Sequence, residues 1–317
     1  MDHYILRTVL GDVALSEIGL ILPHEHLFTD LRGPLTPDYA QAPPNSVLKT
    51  MLPYLSAAEA AGITALVECS TIGVGRNIKI LRQLAENTGI HIVAPTGIYR
   101  EAYTPEKFKD SSIEDLVNLW VKEINQSIES TTSKAGFIKI AVSDEGPTNL
   151  EKRNIKAAAR ASLATGAAIA SHTIGGRAAL EQLALLEEQG LALEKFVWVH
   201  ADSEPDLGYH REVTAMGANI EFDFIGQPNT DPKDHIKKIQ SIMMEGKGEQ
   251  ILLSHDAGWY QPGQPDGHPE GGIRGFTYIP DEFIPLLIDE GMDAGAIKQL
   301  TEENPKRIFG IKASYAS

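Results

Sequence analysis

The chain has 317 residues, of which 42% are hydrophobic and 22% charged. That is an ordinary globular composition with enough length for a large core. A formal net charge of -15 without basic clusters argues against nucleic acid or an anionic membrane as a partner.

The chain opens Met1-Asp2-His3-Tyr4, with neither a basic nor an apolar leader segment. Residues 4–14 alternate apolar and polar around Gly11-Asp12, the pattern of a small β-hairpin. An apolar run at 18–22 then reads as a buried strand, ending in Pro23-His24-Glu25-His26. Residues i and i+2 of a strand share a face, so His24 and His26 project together and Glu25 points away. Two neutral imidazoles at a strand end are half of a divalent-metal site, or else a hydrogen-bonded core pair. The helical zinc motif H-E-x-x-H is excluded, because Phe28 holds the position it needs.

Residues 30–45, rich in Pro, Gly and Asp, predict a loop, and 46–61 a helix stopped by Gly62. The cycle then repeats. Apolar runs recur at 64–69, 91–95, 137–142, 167–170, 196–199, 218–222 and 251–253, separated by helix-like stretches at 76–87, 112–129, 151–164, 177–188 and 234–244. Cys69 is the single cysteine, so no internal disulfide forms, and within an apolar run it reads as an inert buried thiol. Eight strands, each followed by a helix-like segment, predict an α/β fold: a (β/α)8 TIM barrel behind a short N-terminal hairpin, with an open doubly wound sheet as the alternative. No linker divides the chain, and residues 1–317 read as one domain. No apolar run approaches the ~20 residues that span a bilayer, so a cytoplasmic protein without membrane partners is expected.

A barrel carries its chemistry at the C-terminal ends of its strands. There the sequence places Lys139 in an apolar strand, where a bare ammonium must be paired, neutralised or modified. It also places Ser171-His172-Thr173, Val199-His200-Ala201-Asp202 and Ser254-His255-Asp256. Since neighbours on a strand face opposite ways, His255 and Asp256 do not both enter the site. Gly73-Val74-Gly75 lacks the third glycine of a dinucleotide loop and reads as a turn. His210, His235 and His268 read as uninformative surface residues.

Taken together, the opening His24-x-His26, the strand bearing Lys139, the ends at His172, His200 and Asp256, and the closing Asn304-Pro305-x-x-x-Phe309 resemble the phosphotriesterase-like family of the amidohydrolase superfamily. The resemblance implies two divalent ions, with zinc expected, and N6-carboxylysine at Lys139 bridging them. It assigns His24, His26 and Asp256 to the more buried ion and His172 and His200 to the more exposed one. It also implies attack on the substrate by a hydroxide shared between the ions, with Asp256 carrying the proton.

Within that family, Gly97-Ile98-Tyr99 resembles the lactonase pattern, which gives Tyr99 a catalytic and substrate-binding role. Phe224 stands where acyl-homoserine lactonases often have arginine, which points to short-chain or sugar-derived lactones. Trp259, Tyr260 and Phe276, on the long loop after the last strand, are candidates to line the pocket. Arg100 and Arg274 are candidates for a substrate phosphate or for rim ion pairs. The resulting expectation is a lactonase acting on a small molecule. The alternatives are an organophosphate triester or N-acyl amide or carboxyl ester hydrolase on the same centre, a metal-loaded binding protein without turnover, and a Schiff-base enzyme using Lys139 as a free amine. Relatives are commonly dimers, so a homodimer is one expected assembly.

Overall fold

The computed structural model describes residues 4–228 and 230–313. The expected hairpin is present as β1 (Tyr4–Thr8) and β2 (Gly11–Ala14). A strand not foreseen, β12 (Ile311–Lys312), brings the end of the chain back to β1 and makes a three-stranded sheet.

The barrel follows, all parallel. β3 (Leu20–Glu25), β4 (Ile63–Glu68) and β5 (His91–Val93) form one arc. β6 (Pro95–Thr96), β7 (Phe137–Ala141), β8 (Ile169–His172), β9 (Phe196–Val199), β10 (Asn219–Phe222) and β11 (Ile251–Leu253) form the other. β5 and β6 are one stave interrupted at Ala94, which leaves the eight staves of a (β/α)8 barrel. Past the ends of β3 and β11 the ring closes through bonds from Asp256 N to His24 O (3.2 Å) and from His26 N to Ala257 O (2.8 Å).

Around the staves lie α1 (Pro44–Ala60), α2 (Ile78–Glu86), α3 (Glu106–Lys109), α4 (Ile113–Asn125), α5 (Asn149–Thr165), α6 (Gly176–Glu187), α7 (Leu207–Ala215) and α8 (Pro232–Met244). After β11 come α9 (Ile284–Asp289), α10 (Ala294–Lys298) and α11 (Asn304–Phe309). Among the described residues no helix is long and apolar enough to cross a membrane.

Alternation along the staves builds two cores. Ala65, Val67 and Cys69 on the β4 side, Ala168 and Ala170 on the β8 side, and Val197 and Val199 on β9 fill the barrel, with Leu6, Ile308 and Phe309 packed among them. Leu66, Ile138, Ile169, Trp198 and Ile220 face outward and meet the helices. Burying a residue such as Ile138 or Ile169 contributes roughly 1.5–3 kcal/mol. α5 begins in a capping box: Thr148 accepts from Glu151 N, and Glu151 accepts from Thr148 N. Glu151 is fully buried and also accepts from Glu101 N, Ser143 N and Ser143 Oγ. One cap thus fixes both loops that flank Tyr99 and Arg100.

Candidate metal centre

β3 carries its histidines inward by means of an irregularity. Ile21 faces the barrel interior, so strict alternation would send Pro23 and Glu25 inward as well. Between Leu22 and Glu25 the register against β4 shifts by a residue, and this bulge reverses the parity. His24 and His26 therefore turn into the barrel mouth, and Glu25 turns away from it. Glu25 is fully buried and accepts from Ser254 Oγ, His255 N and Ala257 N, which welds β3 to the end of β11.

His200 reaches the site by a different device. Val197 and Val199 point inward, so the next residue should point outward. His200 instead adopts φ 64, a left-handed backbone that swings it inward. Asp256 (φ 50) and Trp259 (φ 77) share that conformation, and non-glycine residues held there are concentrated at functional sites. Two glycines allow the close approach. At Gly97 (φ 106) a β-carbon would collide with the Lys139 carbonyl, and at Gly258 (φ 93) with that of His26.

The ligand-type atoms converge. His24 Nε2 and His26 Nε2 lie 3.3 Å apart, and Asp256 Oδ1 lies 3.0 Å from His26 Nε2 and 3.6 Å from His24 Nε2. Around an ion with ligand bonds of about 2.0–2.2 Å, a tetrahedral edge measures roughly 3.3 Å. Proton positions, assigned from the partners, agree. Nδ1 of His24 faces Glu221 (2.8 Å) and Asp223 (3.2 Å), and Nδ1 of His26 faces Ser70 Oγ (2.8 Å). With those nitrogens protonated, the two Nε2 lone pairs face each other with no proton between them, which calls for a cation. Asp256 Oδ1 and Lys139 Nζ are both buried without a hydrogen-bond partner. The residues fit a metal centre, and His24, His200 and Asp256 alone bring three ligand atoms within coordination range.

Electrostatics point the same way. Burial, and then the Lys139 charge, push His24 down to about 3, and burial with His200 pushes His172 well below the usual imidazole range. Both stay neutral, as ligands must. Burial opposes ionisation of Asp256, but the neighbouring imidazoles, His26 at 3.0 Å and then His24 and His200, hold it well below the usual carboxylate range.

Asp223 is the orienting residue that sequence reasoning missed. It accepts from His200 Nδ1 (2.7 Å) and from His200 N (3.0 Å), which turns Nε2 of His200 toward the cluster. Burial pushes its carboxyl up, but His200 and His24 more than offset this and hold it well below its ordinary value. Burial, and then the Asp223 charge, raise Glu221 well above the carboxylate range. The available signal was a pair of carboxylates two apart at the end of an apolar strand, which cannot be buried without partners.

The remaining candidates are placed as follows. His172 packs on His200 (ring centroids 4.6 Å apart), but its nitrogens face Tyr99 Oη (Nδ1, 3.0 Å) and Arg100 Nη2 (Nε2, 3.2 Å). Burial raises the Tyr99 phenol above its usual range, so the hydroxyl stays protonated. Trp259 packs on His26 (4.6 Å), and Phe224 stacks on His200 (5.1 Å). A cavity of about 70 Å³ at this point is lined by His24, His26, Tyr99, Lys139, His172 and Trp259.

Three candidates are not brought to the cluster, the first being Phe276, which is fully buried in the hydrophobic core. Tyr260 is buried with its ring stacked on Phe28 and its hydroxyl on Ser46, so it anchors the loop. Arg274 donates to the His255 carbonyl and lines a separate cavity with Ile225 and Tyr278. His255 itself faces outward, bonded through Nδ1 to Glu25. The surface assignment of His210 and His235 is corrected: both are buried, His210 donating from Nε2 to the Ala201 carbonyl (2.7 Å) and His235 lying beside Asp202 (3.2 Å). The single helix positions of these two gave no sign that loop polar groups would need them. His268 is exposed.

The profile of the phosphotriesterase family matches residues 4–309. A phosphotriesterase homology protein of Escherichia coli (strain K12) is 30% identical over 299 residues, covering 94% of this chain and all of the relative. An aryldialkylphosphatase of Saccharolobus solfataricus is 28% identical (93% and 96% covered), and an N-acetyltaurine hydrolase of Danio rerio is 27% identical (97% and 98% covered). A solved structure from work on engineering organophosphate hydrolysis from a weak promiscuous lactonase template superposes with a TM-score of 0.87 at 30% identity, covering 96% of this chain and 100% of that one. The chain belongs to the phosphotriesterase family, a family of metal-dependent hydrolases.

Proposed function

We propose that this chain is a binuclear metal-dependent lactonase. The observation that carries the reading is Tyr99: a half-buried phenol kept protonated, lining the cavity of the cluster 3.0 Å from His172. His24, His26 and Asp256 would hold one ion and His172 and His200 the other, with Lys139, as its carbamate, between them. Bound there, two divalent ions supply a deprotonated water at neutral pH and polarise the substrate carbonyl. Asp256, ionised and with Oδ1 free of hydrogen bonds, accepts the proton released on attack and returns it to the leaving alkoxide. Tyr99 donates to the lactone and orients it. Phe224 and Trp259 wall the site with apolar surface and exclude water.

A second reading, hydrolysis of an N-acyl amide, is favoured by Arg100, a cation beside His172, and by the N-acetyltaurine hydrolases among the relatives. A panel of γ- and δ-lactones, sugar lactones with and without phosphate, N-acyl amino acids and paraoxon tests both. Lactones are expected to have the highest kcat/KM, with Tyr99→Phe lowering lactone turnover and leaving triester turnover little changed. Efficient turnover of an N-acyl amino acid or of paraoxon, with every lactone slower, overturns the lactonase reading.

A further inference from the structure

We propose that Arg100 anchors a carboxylate carried by the substrate. This deepens the hydrolase reading and rests on it.

Arg100 follows Tyr99 in the loop after β6, and its guanidinium stands at the rim of the cluster. Buried arginines elsewhere in the chain hold carboxylates with two bonds: Arg76 grips Glu123 at 2.6 and 2.9 Å, and Arg7 grips Asp12 at 2.9 and 3.0 Å. Arg100 has no such grip. Its ion pair is a single 3.3 Å contact to Asp144, a side chain 54% exposed, so the pair is solvent-screened and weak. Its Nε is buried with no partner.

A further contact, Nη2 to His172 Nε2 at 3.2 Å, conflicts with the ligand role proposed for His172. A guanidinium only donates, so it requires a lone pair on Nε2. If His172 gave that lone pair to an ion, Arg100 would have to leave. If His172 used Nδ1 instead, the ring proton would move to Nε2 and face a donor. Either way, a filled site costs Arg100 its His172 contact and leaves the screened Asp144 pair and the Tyr99 ring, 5.6 Å from the guanidinium carbon, with a planar fork of donors next to the reacting group. That fork matches a carboxylate bidentately. Lys139 is the cationic side chain that lines the cavity and is already assigned to the centre, while Arg100 stands at its edge against His172. A single guanidinium therefore suits a singly charged carboxylate better than a phosphate dianion.

The test is calorimetric binding to the zinc-loaded protein, which needs no turnover. The probes are N-acetyl-β-alanine and its neutral isostere N-butylacetamide, with the matching sulfonate and phosphate monoester as further arms. The carboxylate is expected to bind at least tenfold more tightly than the neutral probe. Arg100→Met should erase that difference and Arg100→Lys should keep part of it. In turnover, Arg100→Met should raise KM for carboxylate substrates at least tenfold more than for neutral ones, with kcat for carboxylate substrates largely kept. Equal binding of the pair, no binding of either at millimolar concentration, a preference surviving Arg100→Met, or tighter binding of the sulfonate or phosphate overturns the proposal. If the preference stands while no panel compound is turned over, the hydrolase reading fails and the anchor remains.

Discussion

Asp223→Asn isolates the orienting shell from the ligands themselves. The carboxylate is fully buried and accepts from both the backbone and the ring of His200, at 3.0 and 2.7 Å, while lying 3.2 Å from His24 Nδ1. Asparagine keeps the shape and one acceptor but turns the other oxygen into a donor, which must face an N–H. Hydrogen bonds to a charged group contribute about 1.5–3 kcal/mol each, so losing one and burying a mismatched donor should cost about 2–4 kcal/mol in the metal-free protein. For a chain of this length that is about 3–6 °C in Tm. His200 and His24 would then be free to rotate, and loss of such a partner typically weakens metal affinity about 10–100-fold. Competition against a chromophoric chelator reads the affinity, and a thermal melt of the stripped protein reads the stability. A variant within twofold of wild type in affinity, with an unchanged melt, would refute the claim that Asp223 sets the ligand geometry.

Lys139→Met should abolish metal binding, and short carboxylic acids should partly restore binding to Lys139→Ala; wild-type metal content in Lys139→Met would end the bridging role. Asp256→Asn should retain much of its metal but lose about 10²–10⁴-fold or more in kcat, since an amide oxygen still coordinates but cannot carry a proton, and a few-fold loss would remove Asp256 from the proton path. The metal-free protein should lose stability as pH falls below about 6.5. His24 sits at about 3 in the fold against 6.5 when unfolded, so the unfolded chain binds more protons across that window, which amounts to on the order of 5 kcal/mol by pH 3. His172 acts in the same direction, and Asp223 and Asp256, held low, add to the loss below about pH 4. Burial lowers His200 but Asp223 raises it on balance, and burial with Asp223 raises Glu221, so these two act oppositely and contribute stability as pH falls. Melts of the stripped protein at pH 7.5 and 5.0 that coincide would contradict this balance.

Barrel periodicity was legible because apolar strands and helix stops are local signals, and Lys139 was conspicuous because an ammonium in an apolar strand has no local explanation. What escaped depends on the tertiary structure. The β3 bulge that turns His24 and His26 inward comes from pairing with β4, and the left-handed backbone at His200 comes from Asp223 gripping both its ring and its amide. Glu221 and Asp223 stood in plain view at the end of β10, but their partners lie on β3 and past the end of β9, distant in sequence. Tyr260 shows the converse limit: an aromatic on a long rim loop packs equally well on Phe28 as on a substrate, and only the fold chooses.

The claim on which the rest depends is that six side chains at five strand ends hold two divalent ions required for hydrolysis. Stripped protein titrated with zinc or cobalt, with bound metal and activity followed together, tests it most directly. Both should rise to a break at two equivalents per chain. A break at one equivalent, or full activity with no bound metal, would contradict it.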